Sequence, residues 1–256
     1  MTPSLFDLTG RRALVTGSSK GIGAALAAGL AAAGAEVVLN GRNSDALRVA
    51  AKELAERCGG VVHTAAFDVT DEAAVEAAVE GIEGDVGPID ILVNNTGVQH
   101  REPMLQVSAE NWRRVVDTNL TSAFIVGRAV AARMVERGHG KIVNVCSVQS
   151  WLARPGIAAY AASKGGLSML TKAMCAEWAS AGITANGIAP GYVITELTRP
   201  LVEDPQFDAW IRGRTPAGRW ASVEDLVGTL VWLAAPASDF VNGQVIAVDG
   251  GLTAVI

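Results

Sequence analysis

The sequence has little cysteine, few aromatic residues and no long apolar run. Its three cysteines, Cys58, Cys146 and Cys175, form no CxxC pair, so we expect reduced, mostly buried thiols and a cytoplasmic location. The opening residues, MTPSLFDLTGRR, lack an apolar segment behind a basic head, which argues against a secretory signal. The stretch GIGAALAAGLAAAGA is shorter than the ~20 apolar residues of a membrane span, so we expect no membrane partner.

An excess of basic charge is also missing. The formal net charge is -5 at pH 7, and charged residues make up 18% of the chain. A net negative charge does not indicate the basic surface that nucleic acid would need. Half of the 256 residues are hydrophobic, which is enough to bury one large core. We therefore expect a single domain over residues 1–256, and we predict no metal site.

Short β-branched segments alternate with longer segments rich in Ala and Leu, which is the pattern of parallel strands joined by crossover helices. Strands are predicted at 12–16, 36–40, 62–67, 91–95, 141–147, 184–190 and 244–248. Helices are predicted near 21–33, 44–57, 71–85, 108–137, 159–181 and 223–234. Segment 184–190 is the weakest strand, because its Asn and Gly lower strand propensity. The alternation predicts an α/β fold.

The segment 191–220 breaks this alternation, because it is too long for an ordinary connection between a strand and a helix. It follows the carboxyl end of a predicted strand, where open α/β sheets bind ligands. We interpret 191–220 as a substrate lid, with surface decoration as the alternative.

The stretch TGSSKGIG joins the first predicted strand to the first predicted helix. Its first glycine permits a tight turn, its second lets the backbone approach a pyrophosphate, and its third lets the helix pack on the sheet. Free N–H groups at a helix start favour phosphate. The spacing is GxxxGxG rather than GxGxxG, and a plain turn is the alternative. The residues expected at a dinucleotide are Gly17, Ser19, Lys20, Gly21, Ile22 and Gly23.

The second strand ends in LNGRN, which bears on the choice of dinucleotide. Enzymes selective for NAD usually place Asp or Glu here to bind the ribose 2′-hydroxyl. Asn40, Gly41 and Arg42 leave no carboxylate to repel a 2′-phosphate. Arg42 can bind that phosphate, with Lys20 as a second cation. We therefore predict NADP(H), with NAD(H) and a solvated Arg42 as the alternatives.

Two further strand ends carry cofactor candidates. Asp68, followed by Val69 in FDVTD, either accepts from the adenine amino group or caps the helix expected to start at Asp71. The stretch VNNTG, with Asn95 and Gly97, lets the backbone pass close to the adenosine half or forms a structural turn. Both pairs of interpretations stay open at this point.

The stretch CSVQSWLARPGIAAYAASKGG contains Ser147, Tyr160 and Lys164. Reduction of a carbonyl by hydride leaves an alkoxide that must be protonated, and the reverse reaction needs a base. A free tyrosine, with a pKa of about 10, is a poor base at neutral pH. Lys164 lies one helical turn beyond Tyr160, and unit charges ~4 Å apart at an effective dielectric of ~20 interact by about 4 kcal/mol. The spacing therefore predicts that Lys164 lowers the pKa of Tyr160 while Ser147 binds the substrate oxygen.

With these residues the chain resembles the short-chain dehydrogenase/reductase superfamily over nearly its full length. TGSSKGIG, NNTG, Asn119 in DTNL, Ser147, YAASK, PGYVIT and VDGG occur in the expected order. The resemblance implies a Rossmann-type doubly wound domain with a seven-stranded parallel sheet of order 3-2-1-4-5-6-7 and helices on both faces.

The resemblance also implies roles for individual residues. Tyr160 would be the catalytic acid/base, Lys164 would also hold the nicotinamide ribose, and Asn119 would hold a water in a proton relay. The residues that would line the nicotinamide are Pro190, Gly191, Val193 and Thr195. A homotetramer is implied as well, formed through the helices 108–137 and 159–181 and the tail VDGGLTAVI. The alternative is that both helices only cover the sheet.

Within the superfamily the chain resembles the gluconate 5-dehydrogenases, which interconvert gluconate and 5-ketogluconate. The likeness lies in EVVLNGRN, GPIDILVNN, VCSVQSWLARPGIAAY and TPAGRW. A sugar acid needs a cation for its carboxylate and polar groups for its hydroxyls. The candidates are His100, Arg101, Gln149, Trp151 and Arg154, with Arg214 and Arg219 as weaker ones.

Trp151 departs from the acidic residue that this subgroup often carries. Its indole could stack on the C–H face of a sugar, or it could indicate a more apolar ketone such as a 3-oxoacyl thioester. A dinucleotide-binding sensor without turnover is a further alternative. The complete set of Asn119, Ser147, Tyr160 and Lys164 argues against it.

Overall fold

The computed structural model describes residues 5–256. One sheet with the strand order β3-β2-β1-β4-β5-β6-β7 runs through them, and every pairing between neighbouring strands is parallel. The strands are β1 (Arg12–Val15), β2 (Glu36–Gly41), β3 (Val62–Ala66), β4 (Ile91–Asn94), β5 (Gly140–Val145), β6 (Ile183–Pro190) and β7 (Val245–Val248). The predicted sheet and its order are confirmed.

Helices follow most strands, as predicted. They are α1 (Gly21–Ala32), α2 (Ser44–Cys58), α3 (Glu72–Gly81), α4 (Ala109–Val116), α5 (Ser122–Arg137), α6 (Ala158–Trp178), α7 (Arg199–Val202), α8 (Pro205–Arg214) and α9 (Val227–Ala234). The predicted helix 108–137 is interrupted, because Asp117–Thr121 forms a π-helical segment between α4 and α5. The apolar spacing continues through that segment, so the sequence pattern contains no sign of it.

The two faces of the sheet bury separate cores. Along β1, Ala13 and Val15 face one core while Leu14, between them, faces the other, which is the period-two alternation of a strand. The first core packs α1, α2 and α9 against the sheet, and the second packs α3, α5 and α6. Helices therefore cover both faces of the sheet.

Strand β6, the weakest strand of the sequence prediction, is fully buried along its length. Contacts with other segments explain why Asn186 and Gly187, which have low strand propensity, occupy this strand. The side chain of Asn186 donates to Val241 O at 2.7 Å and accepts from Gln244 N at 3.0 Å. A Cβ at Gly187 would lie 3.1 Å from both Cys146 Sγ and Val245. Tertiary contacts therefore override the low intrinsic propensity.

A buried polar network joins β4, β5 and α6 beneath the strand ends. Asn94 Nδ2 donates to Asn144 Oδ1 at 2.9 Å, and Asn144 Nδ2 donates to Thr171 Oγ1 at 2.9 Å. Buried amides left unpaired cost about 1–3 kcal/mol each, so the network fixes how α6 sits on the sheet. The first turns of α6 are thereby held near the end of β5.

The described part of the chain has no helix with both the length and the apolar character that a bilayer crossing requires. All three cysteines are free thiols.

Candidate active site

The predicted catalytic residues come together at the carboxyl end of the sheet. Ser147 follows β5, and Tyr160 and Lys164 lie in the first two turns of α6. Ser147 and Tyr160 line the same cleft, which encloses about 450 Å³ including its open mouth. That size suits a small-molecule ligand.

Lys164 is buried below this cleft, with 4% of its surface exposed. Its Nζ donates to Val145 O at 2.6 Å and lies 5.8 Å from the centre of the Tyr160 ring. Burial lowers the pKa of Lys164 to about 8. The ammonium group is therefore still largely protonated at neutral pH.

The pKa of Tyr160 differs from the expectation drawn from the sequence. Although the side chain keeps some exposure, burial raises the pKa of the phenol, and a hydrogen bond with Ser147 and the charge of Arg101 only partly oppose the rise. The main causes of the shift do not include Lys164, whose Nζ donates to Val145 O and lies 5.8 Å from the centre of the phenol ring. The phenol is thus in its acid form at neutral pH.

Asn119 lies in the π-helical segment and is 1% exposed. Its side-chain amide accepts from Val98 N at 2.7 Å, and donates to Val98 O at 2.9 Å and to Ser163 Oγ at 3.0 Å. The side chain therefore ties the segment after β4 to α6. A bound water would have to be held by another atom of Asn119, such as its backbone carbonyl.

The glycine loop has the features of a phosphate-binding loop. Gly17 and Gly21 have φ angles of +61° and +60°, which favour glycine. Lys20, the N-cap residue directly before α1, makes no side-chain capping bond. The first N–H groups of the helix therefore remain available to an anion. A Cβ at Gly23 would lie 2.4 Å from Gly17 O. These features fit the pyrophosphate of a dinucleotide.

The side chain of Asn95 fastens this loop. Its Nδ2 donates to Thr16 O at 2.8 Å and to Gly17 O at 3.0 Å. Gly97, by contrast, lies over the catalytic residues, since a Cβ there would be 3.4 Å from Asn119 Oδ1 and 3.7 Å from Lys164 Nζ.

Three other predicted cofactor residues direct their side chains into the protein. Asn40 donates to Ala65 O and Phe67 O, both at 3.2 Å. Val69 and Val193 are buried in the two apolar cores. Only the backbone of these three residues can contact a dinucleotide.

Asp68 does not cap a helix. Asp71 caps α3 by accepting from Ala74 N, whereas Asp68 accepts from Thr70 N at 2.9 Å and Thr70 Oγ1 at 2.7 Å. The capping alternative is wrong, because α3 begins at Glu72 and Asp71 itself occupies the capping position.

The two predicted phosphate-binding cations already have acidic neighbours. Arg42 Nη1 lies 3.8 Å from Asp68 Oδ2, and Lys20 Nζ lies 2.5 Å from Glu196 Oε2. The side chains of Arg42, Lys20 and Glu196 are strongly exposed, so both ion pairs are weak in water. Glu196 belongs to segment 191–220, and nothing in the sequence pattern indicated its position beside the glycine loop.

The predicted substrate residues divide into two groups. Arg101, Gln149 and Arg154 line the cleft with Ser147 and Tyr160, and the buried Gln149 Oε1 has no hydrogen-bond partner among residues 5–256. His100 instead pairs with Glu102, with 2.8 Å between Nε2 and Oε2, and Trp151 is 51% exposed. The cleft residues that the sequence analysis did not single out include Gln99, Tyr192, Leu197, Thr198 and Leu201.

Segment 191–220 covers one side of the cleft and contains α7 and α8. It is joined to the body by a bridge between Val193 and Ala221. Arg219 pairs with Asp225 at 2.7 Å, and Arg214 donates to Val255 O at 2.9 Å. These two arginines therefore brace the segment and do not contribute to the cleft.

Known proteins match the chain over almost its whole length. A family model described as enoyl-(acyl carrier protein) reductase matches residues 17–253. Gluconate 5-dehydrogenase of Gluconobacter oxydans (strain 621H) is 56% identical over 251 residues, which cover 98% of each chain. The 5-keto-D-gluconate 5-reductase of Escherichia coli (strain K12) is 47% identical over 253 residues, covering 98% of this chain and 99% of its own.

The chain belongs to the short-chain dehydrogenase/reductase family. Among solved structures, a gluconate 5-dehydrogenase from Burkholderia cenocepacia J2315 in complex with NADP and tartrate has a TM-score of 0.96. It is 53% identical and the match covers 98% of each chain. The predicted class, an oxidoreductase of this family, is confirmed.

Proposed function

We propose that this short-chain dehydrogenase/reductase interconverts D-gluconate and 5-keto-D-gluconate with NADP(H). The observation that carries the proposal is the presence of two guanidinium groups, Arg101 and Arg154, in the cleft that contains Ser147 and Tyr160. Relatives named for gluconate and ketogluconate chemistry support it, and so does the NADP complex of a structural neighbour.

Arg101 and Arg154 suit a carboxylate because their contacts leave their charges uncompensated. Arg101 donates to Leu197 O at 3.2 Å, and the guanidinium carbon of Arg154 lies 5.4 Å from the centre of the Phe207 ring. Burial and the nearby charge of Arg154 lower the pKa of Arg101. A carboxylate between the two would relieve this repulsion.

The remaining polar groups suit the carbonyl and hydroxyls of a sugar acid. Ser147 Oγ accepts from Gln149 N at 3.1 Å and shares a hydrogen bond with Tyr160, so a substrate oxygen bound between the two hydroxyls would replace that bond. The unpaired Oε1 of Gln149 needs a donor, and a sugar hydroxyl supplies one.

NADP(H), when bound along the glycine loop, would supply or accept the hydride. Tyr160, in its acid form at neutral pH, would donate the phenol proton to the new alkoxide oxygen. For oxidation it must first lose that proton. Lys164 stays positive below the phenol, and Asn119 would hold a relay water through its backbone.

Tyr160→Phe removes the oxygen that transfers the proton. We expect a loss of turnover of at least about a hundredfold with NADPH affinity unchanged in a fluorescence titration. Lys164→Met should lose both turnover and NADPH affinity.

Because burial raises the pKa of Tyr160, kcat/KM for gluconate oxidation should rise with pH from neutral toward 10. Activity above a few per cent in the Phe variant, or a flat pH profile, would contradict the assignment.

The choice of NADP(H) depends on Arg42 and Lys20. Charge-assisted hydrogen bonds contribute about 1.5–3 kcal/mol each, so together they favour NADP(H) by roughly two to four orders of magnitude. A Cβ at Gly41 would lie 3.6 Å from Leu47, so an aspartate fits there. Gly41→Asp with Arg42→Ala should reverse the preference, measured as kcat/KM for both dinucleotides.

Glu196→Gln is the matched control for this prediction. It releases Lys20 from its carboxylate partner, so the preference for NADP(H) should increase. A wild type that prefers NAD(H), or a double variant that keeps its NADP(H) preference, would refute the assignment of Arg42 and leave the catalytic residues unaffected.

We also propose a homotetramer in the cytoplasm. Large apolar side chains are exposed on α4, α5 and α6, namely Trp112, Phe124 and Met169, and the three free thiols suit a reducing compartment. Light scattering should give four times the chain mass of 26.5 kDa. A monomer at micromolar concentration would contradict the assembly, and recovery in a membrane or secreted fraction would contradict the location.

A further inference from the structure

We propose that Phe207, in α8, is a positioning residue for acid substrates: its ring holds the Arg154 guanidinium at the cleft. This inference rests on the proposed function, since it takes the substrate carboxylate as the ligand of Arg154. Phe207 acts through Arg154, which lines the cleft together with Tyr192.

Phe207 is itself held on three sides by aromatic rings. Its ring centre lies 5.7 Å from that of Tyr192, 5.3 Å from that of Trp210 and 6.2 Å from that of Trp220. Trp220 is 3% exposed, and its Nε1 donates to Asp208 Oδ1 at 2.8 Å. The four rings form an aromatic cluster in segment 191–220 that gives Phe207 a fixed place.

Arg154 lies beside a second positive charge, and besides its hydrogen bond with Tyr192 it gains from the contact with Phe207. The charge of Arg154 lowers the pKa of Arg101, so the two guanidinium groups are close enough to destabilise each other. The face of an aromatic ring carries negative charge density and attracts a cation. Phe207 offers that face at 5.4 Å and so offsets part of the repulsion.

Both arginines are thereby attached to the same segment, Arg101 through Leu197 O and Arg154 through Phe207. The lid that covers the cleft therefore also places the two positive charges. Selectivity for an acid over a neutral polyol follows from the placement of these charges, while the Ser147 and Tyr160 chemistry is common to both substrates.

The test compares Phe207→Leu with wild type on two substrates. D-Gluconate is the acid, and D-glucitol differs from it only by a CH₂OH group in place of the carboxylate. We expect KM for gluconate to rise about three- to tenfold, within the range of a cation–π contact, with kcat within about twofold. KM for glucitol should not change. Phe207→Tyr, which keeps the ring face, should restore the wild-type KM.

Trp210→Leu is the matched control within the same helix. Trp210 contacts Phe207 and Tyr192, so this variant removes a cluster ring and leaves the face over Arg154. It should leave KM for gluconate unchanged. An equal rise in Trp210→Leu, or an equal rise for glucitol, would overturn the proposal in favour of general lid packing.

If the enzyme does not turn over glucitol, a double-mutant cycle with Arg154→Met shows whether Phe207 acts through Arg154. Phe207→Leu should add nothing to the KM increase already caused by Arg154→Met, whereas independent, multiplied effects would overturn the proposal. Phe207→Met replaces the Leu variant if that variant does not fold. A wild type inactive on gluconate would refute the proposed function; an active wild type with an unchanged Phe207→Leu variant would refute only the positioning role.

Discussion

The ammonium group of Lys164 is buried beneath the cleft, and the arrangement of the site depends on it. Burying a charge costs several kcal/mol unless polar partners compensate. Val145 O, at the end of β5, is the acceptor at 2.6 Å, so the strand that precedes Ser147 and the helix that carries Tyr160 meet at this one group. The thiol of Cys146 nearby cannot neutralise it, because burial raises the pKa of that thiol to about 11.

The neighbouring elements are built to leave room for this lysine. A Cβ at Gly97 would lie 3.7 Å from its Nζ and 3.4 Å from Asn119 Oδ1, so a side chain at this position would pack directly against both groups. Asn119 binds Val98 on one side and Ser163 on the other, which holds the segment after β4 against α6. Segment 191–220 covers one side of the cleft, and Glu196 in this segment contacts the glycine loop through Lys20.

Much of the fold and of the site could be predicted from the sequence, because short sequence patterns determine the strands and helices and carry the catalytic residues. Alternating apolar segments gave the strands and helices, and the ordered motifs gave the sheet order and the group of Ser147, Tyr160 and Lys164. Other features depend on contacts between distant segments. The role of Asn186 in β6, the partner of Lys20 and the place of Tyr192 at the cleft arise only when the chain is folded.

The direction of the Tyr160 pKa shift is the most informative difference. The four-residue spacing places Lys164 near the phenol, but spacing contains no information on burial or on where the ammonium group donates. Burial is the largest cause of the shift and raises the pKa of the phenol, while the ammonium group donates to Val145 O. The structure thus favours the phenol as an acid at neutral pH, and base catalysis needs a higher pH.

The most direct test of the buried ammonium group is the free energy of unfolding of wild type and Lys164→Met as a function of pH. Below about pH 8 Lys164 is protonated in both the folded and unfolded states, so its burial cost is fully present. Between about 8 and its ordinary pKa of 10.5, only the folded state releases the proton. Wild type should therefore gain stability relative to the Met variant as pH rises through this window, by about 3 kcal/mol. Parallel curves for the two proteins would contradict the account.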